Sequence, residues 1–99
     1  MSEQSTLIQF GTTFQSKTLS SLLGNQKFLQ TISDILEPEY FDSDANKWIA
    51  KTIREYFFEY KSKPTLEVMK VKIEEIENDI LKVSVVENLK EAWRYIESS

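Results

Sequence analysis

The sequence predicts an all-α domain, a compact bundle of about five amphipathic helices. Three observations carry this expectation. Apolar residues recur at spacings of three and four over most of the chain, the period of a helix with one buried face. The chain has only two glycines and two prolines, too few for an architecture of strands and tight turns. Hydrophobic residues make up 40% of the 99 positions, enough for one core in one domain.

The elements follow in order. Residues 1–15 read as an N-terminal arm with isolated Leu7, Ile8, Phe10 and Phe14, docked through the two phenylalanines; residues 16–97 read as the helical bundle. Ser16 is the expected N-cap of a short helix carrying Leu19, Leu22 and Leu23, and Gly24 stands where a helix C′ residue belongs. Asn25 is placed to cap a second helix with Phe28, Leu29, Ile32, Ile35 and Leu36 on its apolar face, ended by Pro38. In the following EPEYFDSD loop, at least one of Tyr40 and Phe41 should turn inward. Phe41 is the better candidate because it has no hydroxyl to satisfy.

Asp42, Ser43 or Asp44 caps a third helix. Its broad apolar face holds Ala45, Trp48, Ile49, Thr52, Ile53, Tyr56, Phe57 and Tyr60. Trp48, Ile53 and Phe57 are expected to pack on Ile73, Leu89 and Trp93. Lys61 to Pro64 end this helix and Thr65 caps a fourth, with a seam of Leu66, Met69, Ile73, Ile76 and Ile80 that Asn78 and Asp79 interrupt. A last helix presents Val86, Leu89, Trp93 and Ile96 as one stripe, with Val85 beside it.

Composition excludes several kinds of chemistry. With no cysteine and no histidine, the chain has no disulfide, no thiol nucleophile, no imidazole base and no zinc site built on those ligands. A net charge of −4 does not match the basic face of a duplex-DNA binder. No apolar run reaches the ~18 residues of a membrane span, and MSEQSTLIQF lacks the basic start and apolar stretch of a secretory signal. The expected setting is the cytoplasm.

Few motifs suggest a site. Gly11 and Gly24 are far apart and neither leads into GK[ST], so no phosphate-binding loop is present and no cofactor is expected. Glu74, Glu75 and Glu77 scatter over a solvent face, with nothing to shift one of them towards acid–base work. Asp42-Ser43-Asp44 is like the start of a calcium loop, but the sixth position is Lys47 and the twelfth Ile53 rather than Gly and Glu; helix capping is the better reading.

One stripe stands out. Lys47, Lys51, Arg54, Phe58 and Lys61 follow one another at spacings of four, three, four and three, opposite the core face of the third helix. Cations flanking an aromatic ring suit an acidic protein partner or single-stranded nucleic acid. They also suit two plainer arrangements, a Phe58 covered by the N-terminal arm and ordinary solvated charge near a helix end.

The run KTLSSLLGNQKFLQTISDILEPEYFDSDANKWIAKTIREYF, followed by KPTLEVMKVKIEEI, resembles the N-terminal domain of DnaB-type replicative DNA helicases. It is most similar to the version carried by T-even-type phages and their marine relatives. The resemblance runs over about residues 10–96 and rests on Leu22 and Leu23, then Ile35, Leu36, Pro38, Tyr40 and Phe41, then Ile49 and Ile53, then Pro64 before Thr65. It implies an all-helical tier of a hexameric ATP-driven ring, helping ring organisation and contacting primase within a primosome. The ATPase and DNA-translocating site would lie in a separate domain. The motor and the hairpin helices that follow this domain in the family have no counterpart in the 99 residues, so the chain is expected to be part of a longer helicase.

The expected function is therefore a non-catalytic assembly and docking domain, whose partners are the other helicase subunits and primase. No catalytic residue, cofactor, metal or direct nucleic-acid contact is expected, and the isolated chain should be a monomer or weak dimer. The alternative is a free-standing small helical adaptor or regulator that binds a protein partner.

Overall fold

The computed structural model describes residues 11–98, and side chains at 12, 13, 97 and 98 are left aside. Five α-helices and one 3₁₀ turn are present, with no strand among the described residues, so the all-α expectation holds.

Helix α1 spans Gly11–Gly24. It starts earlier than expected, at Gly11, whose φ of +85° is a conformation glycine adopts without penalty. Ser16 therefore lies inside the helix rather than capping it, and Phe14 belongs to α1 rather than to an arm. Leu7, Ile8 and Phe10 lie outside the described residues. Leu19, Leu22 and Leu23 are buried as predicted. Gly24 is not a left-handed C′ residue. It is the last residue of α1, and a Cβ there would sit 3.4 Å from Ile96 Cγ1, so its small size lets α1 end close against the last helix.

Helix α2 spans Gln26–Ile32, with the Asn25 side chain accepting a hydrogen bond from the Phe28 N–H at 3.0 Å, as expected of an N-cap. It stops short of Leu36, which corrects the longer helix predicted. Arg54 Nε donates to the Ser33 carbonyl at 3.0 Å where the chain leaves the helix, and Glu37, directly before Pro38, is extended. The chain turns instead, and Ile35 is 67% exposed rather than on an apolar face. The 3₁₀ turn Pro38–Tyr40 follows, the Phe41 N–H donates to the Pro38 carbonyl, and Phe41 points inward at 0% exposure while Tyr40 is half-buried.

Helix α3 spans Asp44–Tyr60 and is capped by Ser43, whose hydroxyl accepts from the Asn46 N–H at 3.1 Å. Its buried residues are Ala45, Asn46, Ile49, Ala50 and Ile53. The expected face was wider and centred elsewhere: Trp48, Tyr56 and Phe57 are only half-buried, and Tyr60 is 58% exposed. The two alanines weigh little in a hydrophobic pattern, yet they lie where α3 meets its neighbours. That rotates the large rings towards the margin. Lys61 ends the helix at φ +58°, its N–H donating to the Phe57 carbonyl and its Nζ to the Phe58 carbonyl. A left-handed lysine is strained. Lys61→Gly should stabilise the domain by about 1 kcal/mol in urea unfolding, and a loss of stability would show that the lysine side chain matters more than the backbone.

Helix α4 spans Leu66–Glu74, capped by the Thr65 hydroxyl on the Val68 N–H, with Met69 and Ile73 buried. Helix α5 spans Asp79–Ser98, and the Asn78 side chain caps it by accepting from the Leu81 N–H at 3.0 Å. The interruption expected at Asn78 and Asp79 is thus a full helix boundary. It removes Ile80 from the α4 seam and leaves it 81% exposed. On α5 the buried line is Val85, Leu89 and Ala92, while Val86, Trp93 and Ile96 flank it half-buried.

Helix α5 is the spine: α1, α3 and α4 all pack on it, α2 packs on α1, and the 3₁₀ turn packs on α3. The Cα radius of gyration is 12.6 Å, the size of a closed chain of this length at about 13 Å. Polar side chains cross the core as well. The Gln15 Oε1 accepts from Asn46 Nδ2 at 3.2 Å and from the Asp42 N–H at 3.3 Å, and Asn46 Oδ1 accepts from Asn88 Nδ2 at 3.0 Å. This line of amides joins α1, α3 and α5, with Gln15 and Asn46 both buried.

Candidate interaction surfaces

Four of the five stripe residues come together. Lys47, Lys51, Arg54 and Phe58 line a shallow cleft of about 630 Å³ on α3, facing Glu37, Pro38 and Glu39 of the turn and Leu81 of α5. Lys61 is not in it, being engaged as the α3 cap. Arg54 has structural work: besides its bond to the Ser33 carbonyl it pairs with Glu37 at 3.4 Å, and its guanidinium lies 5.3 Å from the centre of the Phe58 ring. It fastens the end of α2 to α3. Lys47, Lys51 and the 41%-exposed Phe58 are what the stripe presents. Glu37, Glu39, Asp44 and Glu55 line the same cleft. Four carboxylates beside three cations do not make the positive channel that tracks a phosphate backbone. The arm proposed to cover Phe58 falls, over residues 1–10, outside the described residues.

A second cleft, of about 370 Å³, adjoins the first along α3 and shares Trp48 and Glu55 with it. Trp48, Thr52, Tyr56 and Tyr60 follow one another at steps of four and form one wall, with Glu55 and Glu59 beside them. Lys72, Glu75 and Ile76, from the end of α4 and just beyond, form the other. The Tyr56 and Tyr60 rings lie 4.5 Å apart, tilted by 40°. The sequence reading missed this cleft because it placed those rings in the core. The signal available was the pair of glutamates at i, i+4 next to the pair of tyrosines.

A third groove, of about 400 Å³, runs between α4 and α5 and is mainly apolar, walled by Leu66, Ile73, Val86, Leu89 and Trp93 with Lys70, Glu74 and Lys90 at its edge. Among the described residues no group of three carboxylates is placed to hold a metal ion, and no helix is long and apolar enough to cross a membrane. Around Asp42 the capping geometry of Ser43 replaces the calcium-loop pattern. No protein-family model, curated protein or solved structure matches the chain.

Proposed function

We propose that the chain is the non-catalytic assembly and docking domain of a DnaB-type hexameric replicative helicase, similar to the version in T-even-type phages, with neighbouring helicase subunits and primase as its partners. One observation carries the reading. The residues on which the resemblance rests are mostly those that build the core: Leu22, Leu23, Phe41, Ile49, Ile53 and Pro64 are all buried. The distinctive Pro-Glu-Tyr-Phe element forms the corner between α2 and α3. Leu36, Pro38 and Tyr40 are half-buried, and Ile35 and Thr65 lie on the surface. The clefts on α3 and between α4 and α5 supply the surfaces a docking role requires.

The reading predicts a coding frame that runs on past the codon of Ser99 into a GK[ST] motif. It also predicts that the 99-residue chain releases no phosphate from ATP, with or without single-stranded DNA. A stop codon directly after Ser99 would move the reading to a free-standing adaptor. Turnover that copurifies with the chain and vanishes when the chain is depleted would overturn the non-catalytic part.

A further inference from the structure

We propose that the aromatic cleft between the C-terminal half of α3 and the end of α4 is a cation site that receives an arginine side chain from a basic segment of a protein partner. This goes beyond the helicase reading and does not depend on it.

The aromatic wall is the first reason. Trp48, Tyr56 and Tyr60 share one face of α3, and Tyr60 is more than half exposed although nothing in the core requires a ring there. A cluster of surface rings in a concave site is what a partner side chain stacks on. The electrostatics select which side chain. Ring faces are the negative pole of the aromatic quadrupole and attract cations. Glu55, Glu59 and Glu75 surround them, with Lys72 the one cation in the lining. Ion pairs among the described residues are Arg54–Glu37 and Arg94–Glu91, so none of the three glutamates has a cation within pairing distance. Carboxylates alone would mean only a solvated helix face; here they rim a cavity whose wall is aromatic.

Shape selects arginine over lysine. A guanidinium is flat, stacks on rings and offers forked N–H donors to carboxylates on either side, whereas an ammonium is compact and strongly hydrated. The cleft, about 370 Å³, has room for a guanidinium and its three-carbon stem. Its two walls, α3 and α4, both rest on α5. The same charges repel a phosphate backbone.

The test is NMR of the ¹⁵N-labelled 99-residue chain. The titrants are a short peptide with two arginines in glycine, its citrulline and lysine counterparts, and spermidine. The arginine peptide should shift the Trp48 indole and the amides around Tyr56, Tyr60 and Glu75, with Trp93 unmoved. The lysine peptide should bind more weakly and the neutral citrulline peptide not at all. Tyr60→Ala and Glu59→Gln, both at exposed positions, should each weaken the arginine peptide roughly tenfold with an unchanged unfolding midpoint. Equal binding of the citrulline peptide, shifts spread over the whole acidic surface, or a Tyr60→Ala chain that binds normally would each overturn the proposal. Spermidine binding at the same signals as tightly as the arginine peptide would overturn the protein partner in favour of a free amine. None of these outcomes bears on the reading frame beyond Ser99.

Discussion

Phe41→Ala is expected to cost about 3–5 kcal/mol of unfolding free energy. That is a large share of the ~5–15 kcal/mol that holds a domain of this kind together. The ring is fully buried at the corner where the 3₁₀ turn hands the chain to α3. Its backbone is fixed on both sides, by its own N–H on the Pro38 carbonyl and by the Asp42 N–H on Gln15. A site so pinned cannot close over the space the ring leaves, which puts the loss at the upper end for such a change. Tyr40→Ala, one residue away and half-buried, should cost clearly less. Urea unfolding with an unchanged m-value measures both. A Phe41→Ala midpoint equal to that of the parent would mean the corner is not built on this ring.

Ile53→Ala should cost about 2–5 kcal/mol, and Trp48→Ala less, about 1–2 kcal/mol, although it removes more atoms. Only the area taken from water contributes, and Trp48 leaves part of its ring in the aromatic cleft. Ile53 is fully buried and shares the core with Ile73 and Leu89. Trp93 remains as a fluorescent reporter in both variants. The reverse order of losses would restore the face that hydrophobicity alone assigns to α3 and would remove the rings from the surface.

The helix caps at Asn25 and Thr65 were legible in the sequence, and that at Ser43 as one of three neighbouring candidates, because capping is local: an acceptor meets an N–H three residues along. The burial of Phe41 was legible for a similar reason, since a ring without a polar atom beside a proline corner has few places to go. Ile35 and Ile80 were misplaced by one error, that of extending a period across a break. One break falls before Pro38, where Glu37 is extended, and the other at a side-chain cap on Asn78. Gly24 looked like a chain terminator and is a contact with Ile96. The stripe on α3 was legible as a face. That Arg54 is engaged within the fold was not, because its partners lie 21 and 17 positions away.

The line of amides from Gln15 through Asn46 to Asn88 was invisible in sequence, its members being 31 and 42 positions apart. It acts as an index mark for the helices it joins. A layer of leucines tolerates a helix that slides or turns, because oily contacts have no direction. Three amides do not: moving α1 along by one residue swings Gln15 about 100° away. The Asn46 Nδ2 and the Asp42 N–H would then each lose their acceptor, at about 1–3 kcal/mol for a stranded buried group. Carboxamides also carry no charge to titrate or screen, so acid and salt leave the mark in place. Helices α1, α3 and α5 are thus held in one register, and the α3 wall that the two clefts share keeps one orientation relative to α5.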